Sequence, residues 1–268
     1  MRWTIPLALI LALTACGGAT SAPPPPTAAE PTRAAVETLA PQPTDAESVS
    51  PVGSVEEMTV EATDGLAIRG TLLAPLTSGA DPGVILLHML GDDRTVWGEV
   101  GLAADLVAAG YAVLVVDMRG HGETGGAPDW TLAADDLGRV WEAFTARDTV
   151  DKARTAVVGA SIGANMALRL GADRADVAAV VLLSPGLDYR GVTTADQLAL
   201  YGDRPLLLVA SEDDAYSADS VRALAEVAGG AEVQMFEDAG HGTNMFAAEP
   251  ELANLIVGWL DEQLSAGP

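Results

Sequence analysis

The sequence predicts an α/β protein built on a mostly parallel, eight-stranded sheet with helices on both faces. Three observations carry that expectation. Strand-like apolar runs alternate with helix-like segments along most of the chain. The runs are short and continuously apolar, as in Pro205-Leu206-Leu207-Leu208-Val209-Ala210, which suits strands buried on both faces. Only the opening differs: two strand-like segments, 55–63 and 66–73, flank Asp64-Gly65, a hairpin signal.

The elements follow in order. After the hairpin, strands are expected over 84–87, 112–116, 153–158, 178–183, 206–210 and 232–236. Helices are expected over 97–109, 132–147, 161–170, 217–227 and 250–264. No internal repeat interrupts this alternation.

The chain begins differently. Met1-Arg2-Trp3 carries positive charge, and the apolar stretch 5–13 falls short of the roughly 20 residues a membrane span needs. It ends in Leu13-Thr14-Ala15-Cys16, which resembles the bacterial lipoprotein signal. That resemblance implies cleavage before Cys16 (signal peptide 1–15) and acylation of its sulfur, and so a protein held by lipid in a bacterial cell envelope, outside the cytoplasm. The alternative is an ordinary secretory signal cut near Ala15. Cys16 is the one cysteine of the chain, so no disulfide is expected. A lipidated Cys16 would head the segment 16–53, rich in Pro, Ala, Thr and Ser, which reads as an extended tether. The remainder, 54–268, is about 210 residues, enough for one well-buried domain. A formal charge of −24 argues against nucleic acid as a partner and against adsorption to anionic lipid. The three histidines, His88, His121 and His241, lie on separate segments without a cysteine nearby, so no metal site is expected and no cofactor is implied.

The most informative stretch is Gly159-Ala160-Ser161-Ile162-Gly163. It joins the apolar run Thr155-Ala156-Val157-Val158 to the helix-like run 164–170, and strand, G-x-S-x-G and helix in that order is a nucleophile elbow. Serine on so sharp a turn holds a strained backbone, and flanking glycines remove Cβ atoms that would collide with strand and helix. The helix N-terminus then faces any oxyanion formed at Ser161.

A serine nucleophile needs a base, and the base needs an orienting acid. In the fold that uses this elbow the chain order is Ser, Asp or Glu, His. Only His241 follows Ser161, in the loop Asp238-Ala239-Gly240-His241-Gly242-Thr243. The acid belongs beyond the strand ending at Ala210, where Ser211-Glu212-Asp213-Asp214 stands. Asp213 is the expected acid, with Asp214 in reserve and otherwise an N-cap of the next helix. The oxyanion hole would take the N–H of Ile162 and one from the loop His88-Met89-Leu90-Gly91, from Leu90 or alternatively Met89. His88 reads as holding that loop.

Together these residues resemble the α/β-hydrolase family over roughly residues 55–265. The matching pieces are His88-Met89-Leu90-Gly91, Asp117-Met118-Arg119-Gly120-His121-Gly122, Gly159-Ala160-Ser161-Ile162-Gly163 and Gly240-His241-Gly242. Met89 stands where the family usually has Gly, and the small dienelactone-hydrolase-like branch is the nearest by size, although that branch often carries Cys in place of Ser161. The Asp117–Gly122 piece reads as a tight turn with Asp117 and Arg119 hydrogen-bonded locally. The resemblance implies a serine hydrolase acting on small acyl esters through Ser161, His241 and Asp213, with peptides, thioesters or polyesters as rival substrates and a non-catalytic binding protein as the rival class. Lids of the family usually follow the strand after the elbow helix. Here the gap from 185 to 204 is too short for a large helical lid, so the site should be open to water. Tyr189, Tyr201, Tyr216, Trp97 and Trp130 fall in nearby loops as candidates for lining it, with packing the commoner role for each.

Overall fold

The structure is a computed structural model, and it describes residues 53–265. The expected signal sequence, Cys16 and all but the last residue of the expected tether lie outside the described residues.

In chain order, β1 (Gly53–Glu61), β2 (Ala67–Pro75) and β3 (Asp81–Leu87) precede α1 (Val96–Glu99), α2 (Leu102–Ala108) and β4 (Ala112–Asp117). Then come α3 (Trp130–Thr145), β5 (Val150–Ala160), α4 (Ile162–Asp173) and β6 (Val177–Leu183). A small hairpin, β7 (Asp188–Tyr189) and β8 (Val192–Thr193), leads to α5 (Ala195–Tyr201) and β9 (Leu206–Ser211). The chain finishes with α6 (Ala215–Val227), β10 (Ala231–Phe236), a 3-10 turn at Gly242–Asn244, α7 (Met245–Ala248) and α8 (Leu252–Ser265).

Eight strands form one sheet in the order β1-β2-β4-β3-β5-β6-β9-β10. β1 pairs antiparallel with β2, and β2 antiparallel with β4; every later pair is parallel. The opening hairpin turns at Gly65, whose φ of 82° suits a residue without a Cβ. The continuous apolar runs follow from a sheet covered twice. Ile85 and Leu87 of β3 pack in a core with residues of α3, α4 and α6, whereas Val84 and Leu86 pack in the opposite core with Leu106 of α2 and Trp259 of α8.

The expected helix 97–109 is two helices. Gly101, at φ 83°, breaks the backbone between α1 and α2. The region 185–204 carries no large lid; it holds β7, β8 and α5. Buried Asn165 of α4 ties it down, donating to the carbonyls of Gly186 (2.9 Å) and Val192 (2.7 Å) and accepting from Gly186 N–H (3.1 Å). Among the described residues, no helix is long and apolar enough to cross a membrane.

Candidate active site

The carboxyl ends of β3, β5, β6 and β9 bring the singled-out residues to one edge of the sheet. Ser161, between β5 and α4, has φ 54° and ψ −119°, a conformation rare outside glycine and held here by its surroundings. Its N–H donates to the Leu183 carbonyl at 2.8 Å, locking the turn to the end of β6. A Cβ on Gly159 would fall 2.0 Å from the Gly163 carbonyl oxygen, and one on Gly163 would fall 2.3 Å from the Leu87 oxygen and 2.5 Å from the His88 oxygen. Both glycines are therefore required by backbone contact. Ser161 occupies the N-cap of α4 but makes no side-chain cap bond, so its hydroxyl stays outside the helix's own hydrogen bonding.

His241 Nδ1 is 2.6 Å from Asp214 Oδ2, with the Asp214 side chain mostly buried and the His241 ring partly exposed. Asp213 does not reach His241, which corrects the choice made from sequence. Its carboxylate accepts instead from the Ser211 hydroxyl and, at 3.2 Å, from Gly240 N–H. Those bonds hold the Asp213 carboxyl below its ordinary range, the Ser211 contact contributing most. The reason is the turn out of β9. Asp213 N–H bonds the Glu237 carbonyl (3.1 Å) and Asp214 N–H bonds the Ser211 carbonyl (3.1 Å), so the two side chains leave in different directions. Asp214 does sit at the N-cap of α6, yet its side chain makes no cap bond there and is left for His241.

The loop carrying His241 is fastened from beneath. Ser211 Oγ accepts from Ala239 N–H at 2.8 Å. Ser184, at the end of β6 with φ 51°, accepts from Gly242 N–H at 2.8 Å. Consecutive residues Leu183 and Ser184 thus hold the elbow and the histidine loop side by side. Nothing in the sequence singled out Ser184 or Ser211, because both act through backbone groups remote in the chain.

Met89 is explained by the same loop. A Cβ on Gly242 would lie 2.9 Å from the Met89 sulfur, and the Thr243 hydroxyl lies 3.6 Å from it. The side chain therefore packs on the histidine loop. The Leu90 side chain is exposed. Among the described residues, neither Leu90 N–H nor Ile162 N–H has a backbone partner. His88 is fully buried, bonded through Nδ1 to the Met89 carbonyl (2.8 Å) and accepting at Nε2 from Met118 N–H (3.1 Å). Those bonds require the neutral ring with its proton on Nδ1, and burial pushes its pKa down accordingly.

The Asp117–Gly122 segment also holds a loop, Asp117 through local and distant bonds and Arg119 through distant ones. Asp117 accepts from Arg94 N–H (2.7 Å), Glu123 N–H (2.8 Å) and the Arg94 guanidinium. Its carboxyl would be 2.3 Å from a Cβ on Gly122, which fixes glycine there. Arg119 pairs with buried Asp136 of α3 (2.8 Å) and with Asp64 of the first hairpin (2.7 Å). His121 packs on His88, ring centroids 4.8 Å apart, and faces Trp130 at 6.0 Å.

A family profile described as serine aminopeptidase, S33, matches residues 80–207. An uncharacterized protein of Mycobacterium tuberculosis is 34% identical over 140 residues, 52% of this chain and 48% of that protein. The quorum-quenching protein AidA of Acinetobacter baumannii is 32% identical over 121 residues, 44% of this chain and 40% of AidA. The chain thus matches about half the length, or less, of these curated relatives. Among solved structures, an esterase of Pyrococcus furiosus, Pf2001, superposes with a TM-score of 0.67 at 18% identity, covering 79% of this chain and 91% of the esterase. A dienelactone hydrolase of Anabaena variabilis gives 0.65 at 21% identity over 80% and 99%. The protein thus has the α/β-hydrolase fold of these structures.

Proposed function

We propose that the protein is a serine hydrolase that cleaves small carboxylic esters. The observation that carries this reading is one constellation: a strained, glycine-flanked Ser161 at a helix N-terminus, on the same sheet edge as a His241 bonded to Asp214. Ser161 Oγ attacks the acyl carbonyl while His241 Nε2 takes its proton. Asp214 keeps the proton of neutral His241 on Nδ1 and stabilises the imidazolium without itself being protonated. The N–H groups of Ile162 and Leu90 receive the oxyanion. His241 returns the proton to the departing alcohol, and water, activated by the same histidine, releases the acid from the acyl-enzyme. The esterase named among the structural neighbours and the hydrolase profile support this reading.

A peptidase reading is favoured by one observation, the profile described as a serine aminopeptidase. The triad does not separate it from an esterase, because fold and nucleophile leave the leaving group open. Labelling by a fluorophosphonate, followed by a panel of esters, thioesters and aminoacyl amides, tests both. Labelling with preferential ester turnover supports the esterase. Labelling with turnover confined to the aminoacyl amides replaces it with the peptidase. An unlabelled protein refutes both.

The Leu13-Thr14-Ala15-Cys16 sequence supports display of this domain from a membrane by acyl chains on Cys16. Cell fractionation tests it. The wild type should sediment with membranes and Cys16→Ser should not; equal soluble fractions overturn the anchor.

A further inference from the structure

We infer that Tyr189, on the small β7–β8 hairpin, is a further catalytic residue that donates a hydrogen bond to Ser161 Oγ as the bond to the acyl carbon forms and breaks. This rests on the serine-hydrolase reading. Three observations place the phenol. Its ring stands perpendicular to the His241 imidazole with centroids 6.3 Å apart. Its hydroxyl is 3.0 Å from Ser217 Oγ on α6 and 3.4 Å from the Ser184 carbonyl, the residue that fastens the histidine loop. The Ser184 carbonyl it approaches directly follows Leu183, whose carbonyl accepts from Ser161 N–H at 2.8 Å, so the phenol reaches the strand end that holds the elbow.

The chemistry follows from protonation. Burial is the main influence on the phenol and raises its pKa, so it remains a donor and never a base at neutral pH. The Ser217–Tyr189 bond can run in either direction. With Ser217 donating to the phenol oxygen, the phenol proton is released from Ser217 and its other nearby acceptor is the long contact to the Ser184 carbonyl. During acylation the Ser161 proton passes to His241, and Oγ gains negative charge before it bonds carbon. During deacylation Oγ leaves carbon again and recovers a proton from His241. In both steps Tyr189 keeps its own proton and offers it as a hydrogen bond to the oxygen carrying the charge, a position the backbone N–H groups of Ile162 and Leu90 do not serve.

The hairpin is fitted for this. The Tyr189 ring would lie 2.7 Å from a Cβ on Gly186, so glycine there lets the ring lie against the backbone. Tyr216 packs edge-on at 5.5 Å, and its hydroxyl exchanges bonds of 3.0 Å with Asp188 N–H and carbonyl. Asn165 clamps both ends of the segment. The tyrosine read from sequence as packing is therefore a rigid donor beside the nucleophile.

The test is Tyr189→Phe in the whole protein, with thermal unfolding to establish that the fold survives. Four readouts are compared with wild type: fluorophosphonate labelling rate, kcat and KM on an activated ester, and the leaving-group burst. The expected result is a fall of about tenfold or more in labelling rate and in kcat, the loss of one hydrogen bond to a charged oxygen. KM and burst amplitude should stay near wild type. Ser217→Ala should shift labelling in the same direction by a smaller factor, since it weakens the donor and leaves it in place. A wild type that does not label defeats the serine-hydrolase reading itself. A labelled wild type with Tyr189→Phe equally fast overturns the role of Tyr189 alone, as does a variant altered only in KM.

Discussion

The site has two halves that are specified in different ways. The elbow half, Gly159 to Gly163 with the facing ends of β3 and β6, is held by backbone against backbone: carbonyl oxygens stand where Cβ atoms would be, and Ser161 N–H bonds the Leu183 carbonyl. The acid–histidine half, 211–214 and 237–243, is held largely by side chains reaching backbone across 26 to 58 residues, through Ser211, Asp213 and Ser184. Backbone crowding leaves a local mark in the sequence, because only glycine fits. Side-chain tethering between distant loops leaves none.

The two halves should respond differently to substitution. The largest effect is expected at the elbow. Ser161→Ala removes the proposed nucleophile and should lower turnover of an activated short-chain ester by about 10⁴ to 10⁶ while leaving the melting temperature close to wild type. Retained activity in that variant would remove the elbow from the chemistry.

In the other half the decisive pair is Asp214 and Asp213. Asp214→Asn should keep the shape yet favour the wrong tautomer of His241, at a cost of about 10⁴ in turnover. Asp213→Asn should cost less than about tenfold, since Asp213 holds the Gly240 turn and does not touch the imidazole. Steady-state kinetics of both variants on one ester separates the roles. A dead Asp213→Asn beside a normal Asp214→Asn would mean that the 2.6 Å contact is not the working one.

That pair shows where the sequence stops being legible. Alternating apolar runs, Asp64-Gly65 and the glycines about Ser161 each report a constraint met within a few residues, and the alternation of strands and helices, the hairpin and the elbow could be read from them. His241 could be read because topology left no other candidate. Asp213 and Asp214 are chemically alike and adjacent, and the choice between them is made by which N–H meets Glu237 or Ser211 in the turn. No local pattern encodes that. The break at Gly101 was missed because glycine is ambiguous within an apolar helical pattern, and Arg119 was read as locally bonded because its partners, Asp64 and Asp136, lie far off in sequence.

Glycine substitutions sharpen the contrast at the level of stability. Gly163→Ala must displace the Leu87 and His88 carbonyls and should destabilise the protein by about 1–3 kcal/mol or more, with loss of labelling at Ser161. Gly258→Ala, at an exposed position of α8, meets nothing within 4 Å and should instead stabilise by about 0.5–1 kcal/mol. Chemical denaturation of the two variants checks both signs. Equal effects would mean that the elbow glycines are helix or turn formers with no special contact.

The smallest effect concerns pH and belongs to the elbow half, because the His88 carbonyl is one of the two oxygens crowding Gly163. Burial holds the His88 pKa below its ordinary 6.5, and the nearby His121 pushes in the same direction. Between the lowered folded value and 6.5, the unfolded chain therefore binds the proton that the folded chain refuses. Stability must therefore rise with pH through that window, level off above 6.5, and be lost as the pH falls back through it. The slope from this one group cannot exceed about 1.4 kcal/mol per pH unit. Acidification would also cost geometry. A protonated Nε2 could no longer accept from Met118 N–H, which would loosen the end of β4 against the oxyanion loop. The carboxylates with lowered pKa, Asp213 and Asp93 among them, start from 3.8 and titrate below pH 5. Unfolding free energies measured between pH 7.5 and 5 for wild type and His88→Gln should thus show a shallower dependence in the variant, which is less stable at neutral pH but loses less on acidification. Parallel curves would place the acid sensitivity elsewhere and leave the buried imidazole as packing alone.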